Sequence, residues 1–328
     1  MQESNSSEII DVRLNFIDIS KGIGIILVIC SHVYSPLMQW AFPCFIPIFF
    51  VVSGYCTTHL ISVKKKFVKL MLPYLIFTII LLVVYVDFKP VNFIGAIYSR
   101  WCLYPIDSKA NLYFLRSGNG PLWFLTSMFL AFCCYKIIQL SKHPFRITIL
   151  YILTTYILSY LPILLPWSVD TAFLMSVFIL AGSFIRNAKI LDKLCFPVFV
   201  ISAIIYGVLT ILCGEINLSV RVYGTSLLLL LPTATLGCVL LLKFSSMIDK
   251  TFLGMILQKI GIHSLPIFSL HIPVIGFWRQ QLSSIPLIHN SNIMGVLIVF
   301  LTIVVMYPFA LILDKCVKEI MLLSNRLN

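Results

Sequence analysis

Long apolar runs separated by short polar connectors form the dominant pattern along this chain of 328 residues. Ten runs are long enough to cross a bilayer, near residues 16–36, 43–61, 70–86, 120–138, 147–165, 170–185, 194–213, 222–242, 261–279 and 292–313. Hydrocarbon offers a backbone N–H or C=O no partner outside its own chain, so such segments must be helical. The pattern predicts an all-α, polytopic membrane protein with about ten transmembrane helices. It divides into a polar tail at 1–15, a membrane body at 16–314 and a short tail at 315–328. The second run contains prolines, and the ninth carries His263 and His271, so these two are the least regular. The longest connector, at 87–119, holds Trp101, Tyr104 and Tyr113, enough to touch a substrate but too little for a separate domain.

Composition agrees with the pattern. The chain is 60% hydrophobic and 11% charged, with a mean hydropathy of +1.01. A soluble domain carries charge on about a quarter of its residues. With the N-terminus inside, 18 of the 24 Lys and Arg fall in cytoplasmic segments and 6 in outer ones. That asymmetry places both termini in the cytoplasm. The net charge of +12 is therefore mainly a topology signal, and no nucleic-acid module is visible. The N-terminal segment is polar and slightly acidic, unlike a cleavable signal peptide. The ten cysteines are scattered, with neither metal spacing nor a disulfide framework, and read as small apolar fillers. No metal site is expected.

Charged groups are expected to be scarce within the spans. The twelve acidic residues are assigned to loops and tails, apart from Asp18 at the start of the first helix. Proton-coupled transporters usually bury carboxylates in their spans, so this distribution argues against one. The titratable groups placed inside the membrane are His32 and His271. Lys21 precedes His32 by eleven residues, which is three helical turns. The two therefore share one stripe of one helix, roughly 16 Å apart along its axis.

Each of these residues also has a structural reading. A buried histidine can simply be packed and hydrogen-bonded. Asp18 can favour the helix N-terminus or pair with Lys21, and Lys21 can snorkel to anionic lipid. Lys64, Lys65, Lys66 and Lys69 anchor topology or hold an anionic phosphate ligand. Ser53 and Gly54 suit close helix packing. Pro121 and Trp123 suit a first turn at a membrane interface.

Five short blocks in this order resemble the acyltransferase 3 family of integral-membrane acyltransferases. The first is Lys21-x10-His32, preceded by Phe16-Ile-Asp-Ile-Ser-Lys-Gly; the second is Pro47-Ile-Phe-Phe-Val-Val-Ser-Gly-Tyr55. The third and fourth are Lys65-Lys66-Phe-Val-Lys-Leu-Met-Leu-Pro-Tyr74 and Leu122-Trp-Phe-Leu125. The fifth is Gly261-Ile-His-Ser-Leu-Pro-Ile-Phe-Ser-Leu-His271-Ile-Pro-Val274. Asp18-x-x-Lys21-Gly22 on a plain membrane body resembles the fucose 4-O-acetylase relatives. Two departures stand out. Lys occupies cytoplasmic positions where the family has Arg, which weakens bidentate phosphate recognition. No esterase-like domain is expected after residue 314.

The resemblance implies an O-acyltransferase, usually an O-acetyltransferase, in a bacterial inner (plasma) membrane. The donor would be cytoplasmic acetyl-CoA or another acyl-CoA, with no permanently bound cofactor. The acceptor would be a sugar hydroxyl of a surface glycan or glycolipid. Lys21, Lys65, Lys66 and Lys69 would meet the CoA phosphates. His32 would take the hydroxyl proton or carry the acyl group, with His271 orienting it, relaying a proton or polarising the carbonyl. Asp18, Ser53, Arg116 and Trp123 complete the expected substrate contacts. Partners are then acyl-CoA, the carbohydrate acceptor and membrane lipid, without nucleic acid. The competing readings are a transporter of a glycan precursor or small molecule, which would work without acetyl-CoA, and a scaffold, which would tolerate loss of His32.

Overall fold

The computed structural model describes residues 14–33, 43–86, 88–105, 112–114, 120–283 and 291–326. Among these the fold is almost wholly helical. The helices are α1 (Asn15–Ser31), α2 (Pro47–Tyr55), α3 (Val63–Tyr85), α4 (Pro90–Tyr98) and α5 (Trp123–Leu140). They continue as α6 (Pro144–Ser159), α7 (Val169–Asn187), α8 (Ile190–Lys193), α9 (Phe196–Cys213) and α10 (Leu227–Met247). The last three are α11 (Phe252–Ile262), α12 (Ser264–Ser283) and α13 (Ser291–Arg326). The one sheet among the described residues is an antiparallel hairpin of β1 (Ile216–Asn217) and β2 (Val222–Tyr223).

Each of the ten apolar stretches contains a helix. Among the described residues, six helices are long and apolar enough to cross a membrane by themselves, and α11 with α12 makes a seventh if that bent pair is one span. The others are shorter than their apolar runs. In the second run only Pro47–Tyr55 is helical, because Pro47 opens the helix and residues 57–62 have left it. The ninth span is bent by 81° between α11 and α12, with His263 as the last cap residue of α11. α1 stops at Ser31, which makes His32 its C-cap rather than a residue inside the helix. α5 begins at Trp123, so Gly120 and Pro121 lie in the preceding turn rather than in its first helical turn.

Exposed apolar side chains band the outer helices. Leu75, Ile79 and Val83 of α3, Ile204, Val208 and Ile211 of α9, and Phe300, Val304 and Ile312 of α13 are all exposed. Water would penalise such a surface, whereas lipid tails match it. The protein is thus an all-α polytopic membrane protein.

Helix α1 lies at the centre, packed on α2, α10, α11, α12 and α13. Two pairs of glycines set the closest approaches. A Cβ on Gly22 would lie 2.1 Å from the Leu257 carbonyl oxygen, and one on Gly261 would lie 1.7 Å from that of Asp18. α1 and α11 therefore touch backbone to backbone, which fixes Lys21 against the α11–α12 corner. Gly54 of α2 and Gly182 of α7 do the same, meeting the carbonyls of Ile179 and Val51 at 1.8 and 1.9 Å. Small residues at such crossings are the general device of membrane helix packing. Ser20 also donates to Ser245 Oγ at 2.9 Å, joining α1 to α10 inside the bundle.

The expectation that acidic residues avoid the helices fails at two informative positions. Asp170 stands in the first turn of α7, fully buried, and Asp314 lies within α13. Asp170 is tolerated because two cations meet it. Arg100 pairs with its Oδ1, and Arg221 Nε lies 3.4 Å from its Oδ2. The backbone N–H of Leu165 also donates to Oδ2 at 3.0 Å. Both arginines then hold backbone carbonyls: Arg100 that of Ser219 at 2.5 Å, and Arg221 those of Leu158 at 2.5 Å and Leu161 at 2.7 Å. This buried triad ties the β1–β2 hairpin to α7 and to the connector that carries Trp101.

Candidate functional site

The two ends of α1 open on two different cavities. The first, of about 400 Å³, is lined by Ser31, His32, Trp101, Trp123, Glu215, Asn217, Ser219, Phe268 and His271, among others. The second, of about 380 Å³, is lined by Lys21, Ser53, Lys69, Phe124, Phe268, Asp314 and Lys318, among others. Phe268 lines both. Its ring centroid lies 4.6 Å from that of Phe124 and 6.1 Å from that of Phe49, and the Phe49 and Phe124 centroids are 5.6 Å apart. Three buried phenylalanines thus part a basic cavity from one that holds two imidazoles.

His32 and His271 face each other, with ring centroids 5.0 Å apart and planes tilted by 48°. Their surroundings differ. His32 is exposed into its cavity, whereas His271 is fully buried behind it. His271 Nδ1 lies 2.6 Å from the Phe268 carbonyl oxygen. A carbonyl can only accept, so Nδ1 carries the proton and neutral His271 keeps its lone pair on Nε2. That Nε2 has no hydrogen-bond partner among the described residues. Arg279, two turns further along α12, donates from Nη2 to the His32 carbonyl oxygen at 2.8 Å. One helix therefore supplies both the ring beside His32 and the clamp on its backbone.

The Lys21 cavity is cationic. Lys21 Nζ lies 3.1 Å from Asp18 Oδ1, the i,i+3 pairing open to it on one helix face. Asp18 is buried and does not line the cavity. Of the four expected phosphate ligands, Lys21 and Lys69 line this cavity, and Lys65 and Lys66 do not. Lys65 stands one turn beyond Lys69 toward the start of α3, where its backbone N–H donates to the Ser62 cap at 3.4 Å. The Lys66 ammonium sits over the Phe132 ring, 3.8 Å from its centroid. Ser53 lines the Lys21 cavity and donates to the Phe49 carbonyl at 2.7 Å, so it is both a wall residue and a packing residue. Trp123 lines the His32 cavity. Arg116 lies outside the described residues.

Several wall residues carry no motif. Glu215, Asn217 and Ser219 come from the hairpin and its approach, which begins at Gly214 with φ +69° and ψ −155°, a backbone open essentially to glycine alone. Gly214 and Gly224, both with positive φ, bracket a stretch of alternating polar and apolar residues after an apolar run, a signal that a turn-aware reading can use. Trp101, which lines the cavity, stacks on Tyr113 with centroids 5.7 Å apart and planes at 25°. Among the described residues, no group of three or more His, Cys, Asp or Glu is arranged to hold a metal ion.

The chain is thus a polytopic membrane protein in which one helix sets a cation at one cavity and an imidazole at another. The family model described as an acyltransferase domain, acyltransferase 3, matches residues 14–314. The chain belongs to that family and is a membrane acyltransferase. No curated protein and no solved structure matches it.

Proposed function

We propose that the protein is an O-acyltransferase of a bacterial inner membrane, moving an acetyl or related acyl group from acyl-CoA to a hydroxyl of a carbohydrate or glycolipid acceptor. The observation that carries this reading is the placement of Lys21 and His32 in separate cavities on one helix, with Phe268 common to both. The positive charge of Lys21 and Lys69 suits the donor's phosphates. The aromatic faces of Trp101 and Trp123, with the polar groups of Glu215 and Asn217, suit a sugar.

In this reading the pantetheine arm reaches from the Lys21 cavity past Phe268 and brings the thioester to His32. An alcohol is a poor nucleophile at neutral pH and needs a base. His32 takes the hydroxyl proton as the oxygen bonds to the thioester carbonyl carbon. The carbon–sulfur bond then breaks, and the thiolate leaves with the proton that His32 returns. His271, with its Nε2 lone pair free beside His32, accepts a hydrogen bond from the transient imidazolium. Arg279 keeps the end of α1 in place during both transfers.

The test is mass spectrometry of the host's surface glycans with and without this protein. Loss of an acyl mass from one glycan on deletion, restored by the wild-type chain, supports the reading. An unchanged glycan profile in a host that makes the protein contradicts it.

A further inference from the structure

The family match ends at residue 314, but the wall of the Lys21 cavity does not. Helix α13 runs on to Arg326 without a break. Val317, Lys318 and Met321 of this continuation line the cavity together with Lys21 and Lys69. The segment that reads as a tail in the sequence is therefore part of the cavity.

Lys318 Nζ lies 2.7 Å from Asp314 Oδ2, one turn back on the same helix. Asp314 is held a second time by His263 Nδ1 at 3.1 Å, at the bend between α11 and α12. The carboxylate is thus fixed from two sides, and its side chain is 14% exposed, whereas that of Lys318 is 60% exposed. Ion pairs as exposed as this one are weak and exchange readily. Lys21 repeats the arrangement in the same cavity, with a half-buried side chain whose ammonium rests on the buried carboxylate of Asp18. Three lysines and one aspartate line the walls, so the cavity attracts anions.

We infer that Lys318 is a phosphate-binding residue of the donor site, which leaves Asp314 to bind a phosphoryl group of acyl-CoA. The inference rests on the donor reading above. A phosphate dianion is a stronger partner for an ammonium than a carboxylate already shared with His263. On release, Asp314 keeps its contact with His263, so the bend between α11 and α12 retains its tie. Lys318, Lys21 and Lys69, all in the lining of this cavity, then meet the nucleotide end of the donor together. Lys315, one turn away and not in the cavity wall, remains a topology charge.

A lipid headgroup offers the same phosphoryl chemistry, so the test must separate the two sources. Wild-type, Lys318→Ala and Lys318→Arg proteins are placed in nanodiscs of neutral phosphatidylcholine and of anionic phosphatidylglycerol. KM is measured for acetyl-CoA and for acetyl-pantetheine, which lacks the nucleotide phosphates. Lys318→Ala is expected to raise the KM for acetyl-CoA about tenfold in both lipids, as loss of one charge-assisted contact implies. The penalty is confined to the phosphate-bearing donor, and Lys318→Arg restores most of the affinity. An unchanged KM overturns the inference. So does an equal rise for both donors, which marks a structural role, or a rise seen in phosphatidylglycerol alone, which marks a lipid contact. Wild-type protein that consumes no acyl-CoA overturns the donor reading itself, and this inference with it.

Discussion

The His32 and His271 rings lie 5.0 Å apart, one at the end of α1 and open to its cavity, the other fully buried on α12. The difference in exposure separates their roles. On the proposed reading, the exposed His32 meets the acceptor hydroxyl and the buried His271 acts through it. The Phe268 carbonyl fixes the His271 tautomer and leaves Nε2 as its basic nitrogen.

His271→Ala removes the acceptor for a charged His32 and leaves the donor cavity intact. The expected result is a fall in kcat of about 100-fold, at the lower end of what a positioned proton-transfer group contributes. KM for the donor should stay within about twofold, because His271 lines only the other cavity. Steady-state kinetics checks this, and an unchanged kcat removes His271 from the mechanism.

Arg279→Ala frees the carbonyl at the end of α1 from its clamp. The chain should still fold, since Arg279 is an exposed residue. The expected outcome is a fall in kcat of about tenfold, because small misplacements of a catalytic group are costly. Arg279→Lys should recover part of the loss by donating to the same carbonyl. A donor KM that rises while kcat holds would assign Arg279 to binding instead.

Asp170→Asn leaves Arg100 and Arg221 buried without a counter-charge. Breaking a buried pair of this kind costs about 3–5 kcal/mol. A clear drop in the thermal unfolding midpoint in detergent is expected. The acceptor KM should also rise, because Ser219 and Asn217 hang on the hairpin that the triad secures. An unchanged midpoint would show that the triad does not contribute to stability.

The helical period makes α1 legible in the amino-acid sequence. Eleven residues is close to a whole number of turns, so Lys21 and His32 must share a stripe, and the glycine beside Ser53 suits a close crossing. His271 is legible from the resemblance of its block. Contacts made only by distant helices are not. Lys318 joins Lys21 because α13 returns beside α1, and nothing local to Lys318 distinguishes it from Lys315. Arg100, Asp170 and Arg221 come from three separate segments, so their pairing has no period to reveal it. Charge at the edge of an apolar run marks both a loop and a helix start, so Asp170 reads as a connector residue. The short α4 escapes a periodicity reading because nine residues are too few for a clear 3.6-residue pattern. Proximity in sequence groups Lys65 and Lys66 with Lys69, but Lys65 stands a turn nearer the start of α3 and the Lys66 ammonium rests on the Phe132 ring, contacts that no local pattern reveals.

Topology gives a prediction independent of chemistry. The 18-to-6 division of basic residues over ten spans predicts that both termini are cytoplasmic. A tag after Asn328 should resist a membrane-impermeant label in intact cells and react once the membrane is opened. Labelling from outside would reverse the assignment of the Lys21 cavity to the donor.

The most direct measurement follows labelled acetyl from acetyl-CoA to the isolated glycan acceptor, with purified protein in nanodiscs, for wild type and His32→Ala. Donor binding is read in the same samples by equilibrium titration. Transfer by the wild-type protein is expected, with no transfer above background in His32→Ala and donor affinity within about twofold, because His32 lies outside the cavity proposed for the donor's phosphates. Transfer by His32→Ala at the wild-type rate would contradict the account.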